Sequence, residues 1–444
     1  MNSRYIFLLG FLALGARAQT STTSSPTGDA SKPPVTLDRF VVVEELDKAR
    51  ESIVPALGAT EYEIGRDQIV AQAQGPNAGF NQVLLRTPGM AQDSFGQLHL
   101  RGEHANLQYR INDVLLPEGI SGFGQELDTR FINSVSLLTG SLPAQYGYHT
   151  AGVVDIHTKS GSAAPGGDVT LYGGSFDTFR PSFEYGGGQG NLDYYVTGSF
   201  LSDKLGIENP TGSRTAIHDR TKQYKGFGSF SYILDQSSRV NLIVSGSDSK
   251  FQIPNNPGQT PSFTVGSLSD FDSSKLNENQ RETNGYAILS YQRSMTDANV
   301  QISAFTRSST TKFTPDPIGD LIFNGVAGTV KRDIFSNGLE ADASWNAFEG
   351  HTIRGGFLTT VTRAHNDNSL SVFPVDADGN QMSTTPMTIV ANQKKDAYLY
   401  GAYLQDEWKV TSKFTVNFGL RADAVDSYTK EGQLSPRFNM VYMP

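Results

Sequence analysis

The eleven residues KFTVNFGLRAD, positions 413–423, constrain the fold more tightly than any other stretch of the chain. In an extended strand successive side chains point to opposite faces. Phe414, Val416, Phe418, Leu420 and Ala422 therefore share one face, and Thr415, Asn417, Gly419, Arg421 and Asp423 share the other. A strand that is apolar on one side and charged on the other separates two different solvents. The pattern recurs in NLDYYVTGSF, with Tyr194, Val196 and Phe200 against Tyr195, Thr197 and Ser199, and in NVQIS, with Val300 and Ile302 against Gln301 and Ser303. About twelve such segments of roughly ten residues follow one another between Gly167 and Pro444, the signature of a barrel read strand by strand.

A soluble β-sandwich also alternates, so other features decide between it and a membrane barrel. Lys395–Val410 and Lys413–Tyr428 run longer than an ordinary soluble strand. Tyr398, Tyr400 and Trp408 are expected at segment ends, where an interfacial girdle places amphipathic rings. LDQSSR and VTSKF read as tight turns, whereas FQIPNNPGQTPSFTVGSLSDFDSSKLNENQ reads as one long polar loop. Short turns on one side and long loops on the other are the asymmetry of an outer-membrane barrel. The 45 Gly, 26 Phe and 18 Tyr fit sheet with tight turns, and charged residues amount to 18%.

The amino-terminal part has a different texture. Residues 1–18 have a positive start at Arg4, an apolar run from Ile6 to Leu14 and Ala16-Arg17-Ala18, which together predict a cleaved signal peptide. The apolar run is too short for a membrane helix, and no later window is long enough either. Residues 19–36, rich in Ser, Thr, Pro and Gly, predict a flexible leader. Residues 37–45 hold Phe40, Val41, Val42 and Val43, an apolar run fenced by charge. It reads either as the first strand of the next domain or as an extended docking strand that adds to a partner's sheet edge. Residues 50–161 mix helical and strand signals in a compact α+β unit of ordinary domain size. Helix is expected as far as Arg86, Pro88-Gly89 as a stop, and Asn112-Asp113 as a turn between two short strands. In AGVVDIHTK, Val154 and Ile156 share one side.

Several motifs in this unit, taken in order, resemble the plug domain of TonB-dependent outer-membrane receptors. They are VLLRTPGM (83–90), LHLRG (98–102), INDVLLP (111–117) and LLTGSLPAQYGYHTAGVVDIHTKSG (137–161). The resemblance implies an α+β plug followed by an antiparallel transmembrane β-barrel, residues 167–444, and active transport rather than enzymatic activity. The motif residues it carries over are Pro88, Gly89, Arg101, Gly102, Gly140, Tyr146, Gly147 and Gly152. Gly102, Gly140, Gly147 and Gly152 are expected where the plug turns tightly or two backbones approach. By the same resemblance Arg101 reaches carboxylates of the barrel wall, and Phe40–Val43 lies where the TonB box is expected, so the partners are the periplasmic domain of TonB and outer-membrane lipid. The implied location is the cell outer membrane of a Gram-negative bacterium. The cargo class is open: siderophore-iron, cobalamin or oligosaccharide. Phe123 and Phe251 are candidates for a ligand vestibule. About twelve strands is roughly half of the family's 22, and a plug of this size cannot fit the lumen of a twelve-stranded barrel. The expectation is therefore an incomplete barrel and a fragment or truncated reading frame.

Other chemistry finds little support. A net charge of -9 argues against nucleic acid, which selects basic surfaces. With 0 Cys there is neither a disulfide framework nor a thiolate site. No H-E-x-x-H, G-x-S-x-G, Walker or Rossmann pattern occurs, and no cofactor or metal is expected. His99 and His104 stand five apart, unsuited to one helical face, and DADGN (376–380) reads as a hairpin turn without the glutamate of a calcium loop. The alternative is a secreted or surface all-β adhesin or glycan-binding protein; a passive porin explains the strands but not residues 50–161.

Overall fold

The computed structural model describes residues 35–55, 57–93, 96–104, 106–123 and 126–444. The expected signal peptide and the leader up to residue 34 lie outside these residues. Two bodies follow one another along the chain, a small mixed-sheet plug and a long antiparallel wall, and the first sits against the inner face of the second.

The plug begins with α1 (Val35–Glu51) and continues through β1 (Thr60–Gly65), α2 (Arg66–Ala71) and α3 (Phe80–Leu84). Then come the short strands β2 (Met90–Gln92), β3 (Leu98–Leu100), β4 (Glu103–His104), β5 (Leu107–Ile111) and β6 (Val114–Leu115). The longer β7 (Ile132–Thr139) and β8 (Gly152–Thr158) complete it. Five of these strands form one sheet in the order β1-β7-β8-β5-β6, and β2-β3-β4 form a second. β5 and β8 run parallel, while β7 pairs with β1 and β8 antiparallel. The helix expected to reach Arg86 is broken into α2, a 3-10 turn at Gly75–Asn77, and α3. Pro76 has no N–H to donate and its ring clashes with the preceding turn, and Gln74 takes a left-handed φ of 69° just before it. The Asn112-Asp113 turn is as expected: φ values of 49° and 65° make the mirror-image two-residue turn that suits a twisted hairpin.

The expected strand character of Phe40–Val43 is not observed, because all four residues lie within α1. Helical spacing wins over the β preference of three consecutive valines. Val43, Leu46 and Arg50, at i, i+3 and i+7, are the buried positions, and Lys48 bonds Glu44 one turn back at 2.7 Å.

The wall is a 12-stranded antiparallel sheet in which every strand pairs with its sequence neighbours. Its first six strands are β9 (Gly166–Gly174), β10 (Thr178–Gln189), β11 (Leu192–Asp203), β12 (Thr221–Asp235), β13 (Ser238–Gln252) and β14 (Asn279–Ser294). The other six are β15 (Ala298–Thr314), β16 (Val326–Phe348), β17 (His351–Val372), β18 (Met387–Thr411), β19 (Phe414–Asp426) and β20 (Lys430–Tyr442). β9 and β20 are the two edges, so this is part of a barrel and not a closed one. One rim carries the tight turns at 190–191, 236–237, 295–297, 349–350 and 412–413; the other carries the loops at 204–220, 253–278, 315–325 and 373–386. The latter rim includes a small helix, α4 (Gly319–Asn324).

Alternation along β19 is borne out: Phe418 is 45% exposed and its neighbour Asn417 only 3%. Ile302, Leu339 and Phe357 likewise face outward, while Gln301, Ser303 and Arg421 are buried on the inner side. A contiguous apolar outer face is rare on a soluble monomer and marks a surface that meets lipid or another protein. At the tight-turn rim Trp345, Phe348, His351 and Trp408 form a chain of rings, with His351 stacked on Trp408 at 5.4 Å. Trp408 thus sits at a strand end, whereas Tyr398 and Tyr400 do not. β18 starts at Met387, so those two tyrosines fall in its middle.

Candidate functional site: the plug against the inner wall

Strand β5 carries the deepest contact between the two bodies. Arg110 Nη2 donates to Glu340 Oε1 of β16 at 2.6 Å, and Glu340 Oε2 accepts the backbone N–H of Leu115 at 2.8 Å. Both side chains are almost wholly buried. Arg110 Nε also donates to the Asp113 carbonyl at 3.0 Å, and its guanidinium lies 5.8 Å above the Tyr146 ring. Two charges removed from water repay that cost only when every donor and acceptor finds a partner, as here.

Other wall residues hold plug backbone directly. Arg307 of β15 donates to the Pro117 carbonyl and pairs with Glu126. Arg421 of β19 donates to the Gln145 carbonyl at 2.9 Å and is held in place by Asp423. Glu282 of β14 accepts from Ser121 and the Gly122 N–H, both at 2.8 Å, and Gln405 accepts the Ala144 N–H at 2.7 Å. Between these polar anchors the apolar core is continuous: Phe131 of the plug stacks on Phe227 of β12 at 4.1 Å, within one cluster that also holds Ile243, Ile288 and Phe305 of the wall. Loop carbonyls and N–H groups of the plug cannot bond one another in a sheet, so inward-facing wall side chains satisfy them.

Helix α1 joins this interface at the tight-turn rim. Asp47 pairs with Arg239 of β13 at 2.6 Å, the Leu46 carbonyl accepts from Gln292 of β14, and Asn299 of β15 donates to Ser52 at 3.0 Å. Burial pushes the Asp47 carboxyl up, but Arg239 and Arg50 outweigh it and hold the group below the usual carboxylate range. Arg50 Nε reaches Asp113 at 3.0 Å, so α1 is tied to the plug as well as to the wall. Burial, followed by the neighbouring Asp155, pushes Asp113 up to about 7.

The motif residues fall mostly inside the plug. Arg101 does not reach the wall: its Nη2 donates to Thr139 Oγ1 of β7 at 3.1 Å. It occupies a two-residue turn with Gly102, at φ 52° and 83°, and that turn aims its side chain along the plug sheet. Wall carboxylates are gripped instead by Arg110, on Glu340, and by Lys159, on Glu184 of β10 at 2.8 Å. Gly147 is set against Arg421, where a Cβ would come within 2.1 Å of Nε, so a side chain there would push the wall arginine off the plug. Gly140 follows β7 in a left-handed turn at φ 85°, Gly152 starts β8, and Pro88-Gly89 lead into β2. Tyr146 is buried, and its hydroxyl donates to the Val54 carbonyl at 3.3 Å. Phe123 and Phe251 do come together, with ring centroids 4.7 Å apart. Phe251 is only 1% exposed, however, so it packs the junction between plug loop and wall and does not line a vestibule.

Comparison with known proteins bears on most of the wall. Residues 235–444 match the family described as TonB dependent receptor-like, beta-barrel. Over these residues the wall is similar to the barrel of TonB-dependent receptors. Among solved structures, the receptor fold is shared with the ferric citrate transporter FecA in its unliganded form (TM-score 0.65, 14% identity, 88% of this chain and 63% of that one). It is shared with the ferric yersiniabactin uptake receptor FyuA from Yersinia pestis (TM-score 0.60, 14% identity, 86% and 60%). The ferripyoverdine receptor of the Pseudomonas aeruginosa outer membrane, bound to ferripyoverdine, is a third (TM-score 0.63, 15% identity, 88% and 56%). The chain thus spans 56% to 63% of the length of these receptors, in keeping with an incomplete wall.

Proposed function

We propose that this chain belongs to an outer-membrane transporter that imports a scarce ligand with energy delivered through TonB. The observation that carries this reading is the polar clamp of Arg110 on Glu340 between a plug and the inner face of a wall whose outer face is apolar. A passive pore has no use for a domain bonded across its lumen. An adhesin has no use for an outward apolar belt. Among the described residues no helix is long and apolar enough to cross a membrane. The named cargoes of the similar receptors, ferric citrate, ferric yersiniabactin and ferripyoverdine, favour an iron chelate over cobalamin or oligosaccharide.

The TonB contact is assigned to Phe40–Val43. Since these residues are helical here, engagement as an augmenting strand requires α1 to unwind, and Asp47–Arg239 and Arg50–Asp113 are the ion pairs that unwinding strains. Fractionation tests the location: the chain should be recovered in the outer membrane and migrate differently on gels with and without boiling. Recovery as a soluble monomer would favour the adhesin. Uptake of a ferric chelate tests the energy source. Val42→Pro should abolish uptake and leave membrane insertion intact, because proline removes a donor from the docking strand; full uptake in this variant would remove the TonB assignment.

A further inference from the structure

The β3–β4 hairpin carries two histidines that its turn sets face to face. Leu100 pairs with Glu103 across Arg101-Gly102, and the next pair outward in the register is His99 with His104. Directly opposed residues of an antiparallel pair place their side chains on the same face of the sheet. Here His99 Nδ1 and His104 Nδ1 lie 3.1 Å apart. The other nitrogen of His99, Nε2, lies 3.2 Å from Asp93 Oδ2. Asp93 is itself fixed, its second oxygen accepting the Gln97 N–H at 2.8 Å.

These contacts determine the state of the pair. A carboxylate acceptor holds the proton of His99 on Nε2 and leaves the Nδ1 lone pair pointing at His104. When the proton of His104 moves to its own Nε2, the two facing Nδ1 atoms both carry a lone pair, with no net gain or loss of protons. A metal bound by two imidazoles at about 2.0–2.1 Å, with an angle of about 90–109°, requires nitrogens about 2.8–3.4 Å apart. The observed separation falls inside that window. A carboxylate on the remote nitrogen is the usual support of a ligating histidine, since it fixes ring orientation and raises basicity.

We propose that His99 and His104 form a binding site for a divalent transition-metal ion, Cu(II) or Zn(II), with Asp93 as its positioning residue. Imidazole nitrogens suit these ions, whereas calcium and magnesium take oxygen ligands. Among the described residues no cluster of three or more potential ligands occurs, so the protein supplies two ligands and leaves the remaining positions to water or to a donor atom of an incoming molecule. His104 is exposed and the His99 side chain is 18% exposed, so an ion can enter and leave. Gly96 lies beside Phe123, which meets Phe251 near the long-loop end of β13, and this sets the hairpin on the side of the plug facing the long-loop rim. The site extends the uptake reading but does not rest on it, because binding is measured without transport.

The test is titration of the detergent-solubilised full chain with Cu(II), followed by electron paramagnetic resonance and calorimetry. One saturable equivalent is expected, with splitting from two nitrogens. His99→Ala and His104→Ala should each weaken binding at least about a hundredfold, and Asp93→Asn about 10–100-fold, the range for loss of a supporting partner. His365→Ala, on the wall strand β17, should leave binding unchanged. Heat-modifiable migration of each variant confirms that it remains folded. A wild-type spectrum without nitrogen splitting overturns the assignment, as does wild-type affinity in both hairpin variants or loss of binding in His365→Ala.

Discussion

Plug and wall are built from strands under opposite constraints. A wall strand has one apolar side and one largely polar side, pairs only with its sequence neighbours, and runs for 9 to 25 residues. The central plug strands are short and enclosed: in β8, Val153, Val154, Asp155 and Ile156 are all buried, so both faces of the strand are interior. Alternation therefore reports the wall and is silent about the plug. Buried polar groups of the plug find partners within it, as Arg50 does in Asp113, or across the interface, as Arg110 does in Glu340.

The contrast predicts different sensitivities, and the largest belongs to the interface. Arg110→Ala should strand Glu340 without a cation and cost about 3–5 kcal/mol, measured as lost stability of the seated plug in denaturant unfolding or as protease access to residues 107–158. A similar loss from exchanging both residues for apolar ones of equal volume would show that packing, and not charge, seats the plug. On the outer face Phe418→Arg should cost about 2–4 kcal/mol in lipid, by refolding into vesicles, because the arginine meets hydrocarbon. Arginine tolerated there without loss would mean that the surface is wet. Gly147→Val should displace Arg421 and cost about 1–3 kcal/mol, visible as a looser plug with an unaltered wall. The smallest mutational effect belongs to Arg101→Ala, expected within about 1 kcal/mol because only a hydrogen bond within the plug is lost.

Acidity gives a further way to sharpen the comparison. Asp113 has its folded-state pKa raised to about 7, so the folded plug holds a proton that the unfolded chain releases. That contribution is fully present below the ordinary carboxylate pKa and is lost as pH rises through about 7. Plug stability should fall across that window, and Asp113→Asn should flatten the profile. A flat profile in the parent chain would place the ionised carboxylate firmly with Arg50.

Much of the architecture was legible because a membrane wall repeats a single instruction. Phe414 to Asp423 states it in full, and the number of such segments matches the twelve strands. Strand extent was less legible: β18 continues from Tyr398 back to Met387 through residues whose pattern weakens once both faces meet water. The helix at Phe40–Val43 was missed because three valines outvoted the burial spacing of Val43, Leu46 and Arg50. At the interface, Arg421 was readable as the polar side of a strand, but its grip on Gln145 depends on a contact between residues far apart in the chain. The histidine pair was weighed only against helical spacing. Five residues apart is the wrong interval on a helix and the right one across a two-residue hairpin turn.

One property of the sheet order bears on how such a molecule is made. Each wall strand finds its partner at the far side of a single connection, so successive hairpins can zip up in turn, and loop closure stays cheap at the tight-turn rim. In the plug, by contrast, the parallel match of Leu107 with Gly152 must wait until β7 and β8 have been synthesised and folded back. The domain that blocks the passage is thus the one whose assembly is governed by distant encounters, and the order of folding is written into the connectivity.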